Sequence, residues 1–160
     1  MTDSLVTVRS FHRRVRYLVA TDSVHTTAAA CDYLDPRVDP GDQVDVLTVV
    51  EPDDGGPGAS QGAVAASRDA GDAANVAAAR LAGRAAVESL TREGSPVGTV
   101  LAVAEGRDAD VVLVGLHGGR PGAGPGLGSV ARGIIEGADR PVVVLPLEPL
   151  ETLDTPDDDA

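Results

Sequence analysis

A chain of 160 residues with 42% hydrophobic residues is the size of one domain with a core of its own, and 2% aromatics means a core of Val, Leu, Ile and Ala. A formal net charge of −12, with 13 Arg, no Lys and 25 acids scattered along the chain, excludes a nucleic-acid face, because neutralising phosphates needs clustered cations. The single cysteine, Cys31, excludes an intrachain disulfide, and no apolar run approaches the ~20 residues that span a bilayer.

Residues 1–14 are mixed and polar and read as an N-terminal extension. YLVAT (17–21) is a short apolar run, expected to be a buried strand, and Asp22-Ser23 closes it with residues suited to N-cap a helix over 25–34. DPRVDPGD (35–42) is turn-rich. VDVLTVV (44–50) reads as a second strand stopped by Glu51-Pro52. Residues 53–67, rich in Gly, Asp, Ser and Ala, are expected to form a mobile loop, and the Ala-rich stretch 68–85 a helix. A weakly alternating segment, 86–94, is expected to be a short strand, and Pro96 suits the first turn of a helix over 96–107.

VVLVG (111–115) is a fully apolar strand, followed by a Gly-rich loop and a helix over about 129–137. PVVVLPL (141–147) is the last strand, and the acidic tail 148–160 is expected to be disordered. The order is β-α-β-α-β-α-β-α-β. Apolar strands separated by helices predict a single-domain, Rossmann-like, three-layer α/β/α fold with a five-stranded parallel sheet over 15–147. Ligands of such sheets bind at the C-terminal strand ends, where the strand order reverses. Asp22, Val49 and the loop after Gly115 lie along that edge.

That loop carries the chemistry. Gly115 ends a strand, Gly118 admits close backbone approach, and Gly128-Ser129 opens a helix whose free N–H groups and dipole favour an anion. The Ser129 hydroxyl suits a helix cap or a phosphate oxygen, and Arg120 can reach outer phosphates. No Gly-Lys-Ser or Gly-Lys-Thr is present, so the loop is not a Walker A motif, and no G-x-G-x-x-G follows the first strand.

The spacing Gly115-x2-Gly118-x9-Gly128-Ser129 resembles the ATP-binding motif of universal stress proteins. YLVATDS, VLTVVEP, REGSPVGTVLAVAEGRDADVVLVGLHG and GSVARGIIEGADRPVVVLP extend the resemblance over about residues 15–147. The resemblance implies that Asp22 contacts the adenosine end of a nucleotide and that the backbone of Val49 reads adenine. It implies that Val114 and Gly115 lie beside the ribose, and that Gly118, Gly128, Ser129 and Val130 contact phosphates. The implied ligand is ATP, AMP or ADP, with or without Mg2+, and the implied role is a stress-response sensor or regulator with slow or no hydrolysis. Family members commonly dimerise through the last strand, here 141–147. The loop departs from the family pattern: Gly119 separates Gly118 from Arg120, and PGAGPGLG replaces an apolar stretch, which raises the entropic cost of ordering it.

Two other classes compete. One is a nucleotide-free interaction module of the same fold, acting on a transporter or enzyme. The other is a small α/β hydrolase or transferase using Ser23 or Ser129 with His25 or His117, although no G-x-S-x-G elbow occurs. High Asp, abundant Ala and Val, and no Lys read as adaptation to high salt, where self-repulsion is screened, and a high-GC coding sequence is the alternative explanation of the missing Lys. The first 16 residues lack the apolar segment of a signal peptide, so a soluble, cytoplasmic protein is expected.

Overall fold

A computed structural model of the chain describes residues 13–52, 59–117 and 126–147, with the side chains of 59–63 left aside. Strands β1 (Arg16–Thr21), β2 (Gln43–Val50), β3 (Ala86–Glu93), β4 (Val111–Gly115) and β5 (Val142–Leu145) alternate with helices α1 (Val24–Leu34), α2 (Ala59–Arg80), α3 (Pro96–Gly106) and α4 (Ser129–Gly137). All four strand pairings are parallel and the sheet order is β3-β2-β1-β4-β5, the expected five-stranded α/β sheet.

Helices α1 and α2 cover one face and α3 and α4 the other. Side chains that alternate along each strand therefore feed two cores. Val19, Val44, Val46 and Leu113 pack with Leu34 and Leu81 under α1 and α2, whereas Leu18, Leu47, Val112 and Val114 pack with Val100 and Ile134 under α3 and α4. Leu18, Leu34, Leu47, Leu81, Leu113 and Ile134 are fully buried, each contributing about 2 kcal/mol relative to an exposed side chain.

The N-terminal edge of the sheet is tied down by charge. Asp110 accepts from the backbone N–H of Arg16 at 2.9 Å and from the Arg13 guanidinium at 3.0 Å. The Arg16 guanidinium donates to the Arg107 carbonyl at 3.0 Å. Asp42 accepts from the N–H groups of Val15 and Asp39, both at 2.9 Å, and so pins the turn before β2.

Three expectations need correction. The segment 53–67 is not loop throughout, since α2 begins at Ala59, and the helix expected over 68–85 ends at Arg80. Residues 81–85 form a turn in which Gly83 has φ of 73°, a conformation that glycine adopts without penalty. The last strand is shorter than 141–147: Pro141 and Pro146, which lack an N–H, bracket the four residues that pair with β4. Of the expected extension 1–14, residues 1–12 lie outside the described residues, as does the tail 148–160.

Candidate functional site

The strand order reverses between β1, whose chain leaves toward β2, and β4, whose chain leaves toward β5. The crevice for a ligand opens at the C-terminal ends of these two strands. Register defines its floor. Leu90, Leu47, Ala20, Val114 and Val144 form one row across the sheet, and all five sit in the core under α3 and α4. One residue further along lie Thr91, Thr48, Thr21, Gly115 and Leu145. The floor is thus apolar, and the rim above the switch point is threonine and glycine.

On the β1 side, the turn into α1 is built from hydroxyls. Ser23 is the N-cap of α1, with its Oγ accepting from the Thr26 N–H at 3.2 Å. Buried Thr21 bonds the Ser23 carbonyl and the Thr27 hydroxyl, both at 2.8 Å. The Thr26 hydroxyl donates to Asp22 Oδ1 at 2.8 Å. Asp22 itself is exposed at the rim, and Val49, half-buried under the α3 side, lies one residue beyond the Thr21–Thr48 pair.

On the β4 side, a Cβ on Gly115 would lie 3.1 Å from Leu147 and 3.3 Å from Thr26. The Leu116 N–H continues the sheet by donating to the Leu145 carbonyl at 2.9 Å. The Leu116 carbonyl accepts from the Gly128 N–H at 2.8 Å, which brings the two ends of the Gly-rich loop together. A Cβ on Gly128 would lie 3.2 Å from the His117 Cα. Neither Gly115 nor Gly128 has a positive φ, so both are glycine for lack of space and not for backbone conformation.

Gly128 is the N-cap of α4 and carries no side chain to satisfy its first turn. Ser129 and Val130 follow, both exposed. Among the described residues no side chain caps the backbone N–H groups at this helix start, which carries the positive end of the helix dipole. The structure brings Asp22, Val114, Gly115, Gly128, Ser129 and Val130 to the switch point and its loop, and sets Val49 on the neighbouring strand. Gly118 and Arg120 lie outside the described residues.

The model of the universal stress protein family matches residues 15–146. The chain belongs to that family. No curated protein sequence matches this universal stress protein. Among solved structures it is similar to a universal stress protein from Archaeoglobus fulgidus (22% identity, 83% of this chain and 99% of that one, TM-score 0.63). A universal stress protein from Archaeoglobus fulgidus in complex with dAMP matches at 21% identity over 82% and 97% of the two chains, with a TM-score of 0.59. An Arabidopsis thaliana universal stress protein with AMP bound matches at 13% identity over 90% and 97%, with a TM-score of 0.57.

One residue of this universal stress protein's site was missed in the sequence. Thr26 is 1% exposed, bonds Asp22 and fills the space where a Cβ on Gly115 would lie. The signal was a hydroxyl placed four residues after Asp22, on the first turn of a helix that presents it toward the sheet.

Proposed function

We propose that this universal stress protein binds adenine nucleotide at the C-terminal edge of its sheet and acts as a stress-response sensor or regulator. The observation that carries the reading is the Gly128–Leu116 hydrogen bond, which sets the uncapped start of α4 beside the switch point. The residues there suit such a ligand. Exposed Asp22 can accept from ribose hydroxyls, the Val49 backbone and the apolar row beneath suit a base, and the α4 amides with the Ser129 hydroxyl suit phosphate. Gly118 and Arg120 complete the phosphate loop in this reading. The AMP and dAMP complexes of family members support it.

In this reading the ligand is AMP, ADP or ATP, and Mg2+ accompanies the triphosphate. Hydrolysis is slow or absent, because Asp22 belongs to the adenosine end and no other acid is assigned to the phosphates. The protein forms a homodimer through β5 (Val142–Leu145), which among the described residues is an edge strand bracketed by two prolines, and works in the cytoplasm at high salt through a protein partner.

Calorimetric titration of ATP with Mg2+ into the protein in high-salt buffer tests the ligand. Saturable binding that disappears in Gly118→Val is expected. A folded sample that takes up neither ATP nor AMP sinks the reading and leaves the nucleotide-free interaction module in its place. Sedimentation velocity on the same sample tests the dimer.

A further inference from the structure

We propose that Thr26 is a positioning residue of the site, a side chain that locks the Asp22 half to the Gly115 half across the switch point. The proposal rests on the adenine-nucleotide reading above. Thr26 sits in the first turn of α1 and is 1% exposed. Its hydroxyl is 2.8 Å from Asp22 Oδ1 and 3.2 Å from Ser23 Oγ. A carboxylate can only accept, so the single hydroxyl proton of Thr26 goes to Asp22. The Ser23 contact is then fixed as well, with Ser23 donating to Thr26 Oγ1 while its own oxygen accepts from the Thr26 N–H.

The protons thus run one way, from Ser23 to Thr26 to Asp22, and end on a charge that strengthens each bond in the chain. The same side chain faces β4. Its Oγ1 and Cγ2 both lie 3.3 Å from the place a Cβ on Gly115 would take, so Thr26 fills the space that the glycine leaves. The next residue, Leu116, carries the carbonyl that closes the loop onto Gly128. A continuous set of contacts therefore connects the Asp22 carboxylate, through Thr26 and the Gly115 backbone, to the start of α4. Thr27 beside it does not share this role, since its hydroxyl turns back to Thr21 and the Ser23 carbonyl.

The test separates the hydroxyl from the methyl. T26V keeps the shape and loses the hydroxyl; T26S keeps the hydroxyl and loses the methyl. Both should lower the melting temperature, but only T26V should weaken AMP and ATP binding, by about tenfold or more, as expected for a hydrogen bond to a charged group. T26S should hold affinity within about threefold of the parent. Wild-type affinity in T26V, or equal losses in both variants, overturns the proposal. NMR couplings in the ligand-free protein give a second readout: Asp22 χ1 should occupy one rotamer in the parent and in T26S, and average in T26V. If the parent binds no nucleotide, the nucleotide reading fails and this rotamer pattern alone decides. A rotamer unchanged in T26V overturns the positioning role.

Discussion

Arg107 Nε donates to Asp45 Oδ2 at 2.8 Å, and Asp45 is a wholly buried carboxylate on the middle of three strands from the sheet edge. The second guanidinium bond, to Asp45 Oδ1 at 3.2 Å, makes the pair two-pronged, Gln43 adds a bond at 3.0 Å, and Glu88 on β3 holds the outer side of the guanidinium. The bond to Asp45 raises the Arg107 pKa against the opposing pull of desolvation, so the guanidinium stays charged at every working pH.

Removing one partner of such a pair strands a charge in the core. Arg107→Ala should destabilise the protein by about 3 kcal/mol in chemical denaturation, the lower end of the range for buried pairs, because the Arg107 side chain is 26% exposed. Glu88→Gln, at the exposed end of the same network, should cost no more than about 0.5 kcal/mol. Equal losses in the two variants would mean that Asp45 is satisfied without Arg107.

Cys31 belongs to the core under α1, and burial is the main cause that pushes its thiol above the ordinary value of 9.0. Tyr17 is raised above 10.0, also chiefly by burial. In both cases the folded chain keeps its proton to a higher pH than the unfolded chain. Their contribution is complete below the unfolded values and is lost as pH rises through the folded ones. Thermal stability should therefore fall above about pH 9, less steeply in Cys31→Ala. A thiol reagent at pH 8 should leave native Cys31 unmodified and react once denaturant is added.

How much of this was legible depended on how one-sided each element's environment is. The strand 111–115 was readable to the residue because Val112, Leu113 and Val114 are buried on alternate faces, which makes an unbroken apolar run. Edge strand β3 buries only Leu90, yet its weak alternation placed it within one residue. The start of α2 was not legible, since Gly62 and Ser60 carry weak helix preference. Asp45, inside the apolar VDVLTVV, passed unremarked although an acid in a buried strand demands a partner. In the candidate site, Gly115, Gly128 and Ser129 were named from the spacing of the loop and Asp22 and Val130 from the family resemblance, whereas Thr26 was not singled out in the sequence. Its place beside Gly115 joins residues far apart in the chain, and no local pattern encodes that.

Helices α3 and α4 meet through glycines, and the two contacts should respond differently to a methyl group. A Cβ on Gly133 would lie 2.7 Å and 3.1 Å from the two methyls of Val97. A Cβ on Gly137 would meet the far end of Leu101 at 2.7 Å. Ala is preferred over Gly in a helix by about 1 kcal/mol. Val97 is β-branched and held in one rotamer, so Gly133→Ala should be net destabilising by about 1 kcal/mol once overpacking outweighs propensity. Leu101 can rotate its terminal methyl away, so Gly137→Ala should be neutral or slightly stabilising. Thermal denaturation of the two single variants checks the order; the reverse order would show that backbone shift, and not side-chain stiffness, relieves the contact.

The neck of the Gly-rich loop offers the sharpest separation of function from stability. A methyl at residue 128 would press on backbone, the His117 Cα at 3.2 Å and the Leu116 carbonyl oxygen at 3.4 Å, and backbone cannot rotate out of the way. The relief available is to lengthen the 2.8 Å bond between the Gly128 N–H and the Leu116 carbonyl, which moves the start of α4 away from β4. Little core is disturbed, since the buried residues of α4 are Ala131 and Ile134, one turn further on. Gly128→Ala should therefore cost only about 1 kcal/mol of stability. Under the nucleotide reading it should weaken ATP and AMP binding by about tenfold, because the amides at the helix start must sit within hydrogen-bond reach of the phosphates. Titration calorimetry beside thermal denaturation checks both halves. An unchanged affinity at lowered stability would place the phosphates elsewhere on the loop.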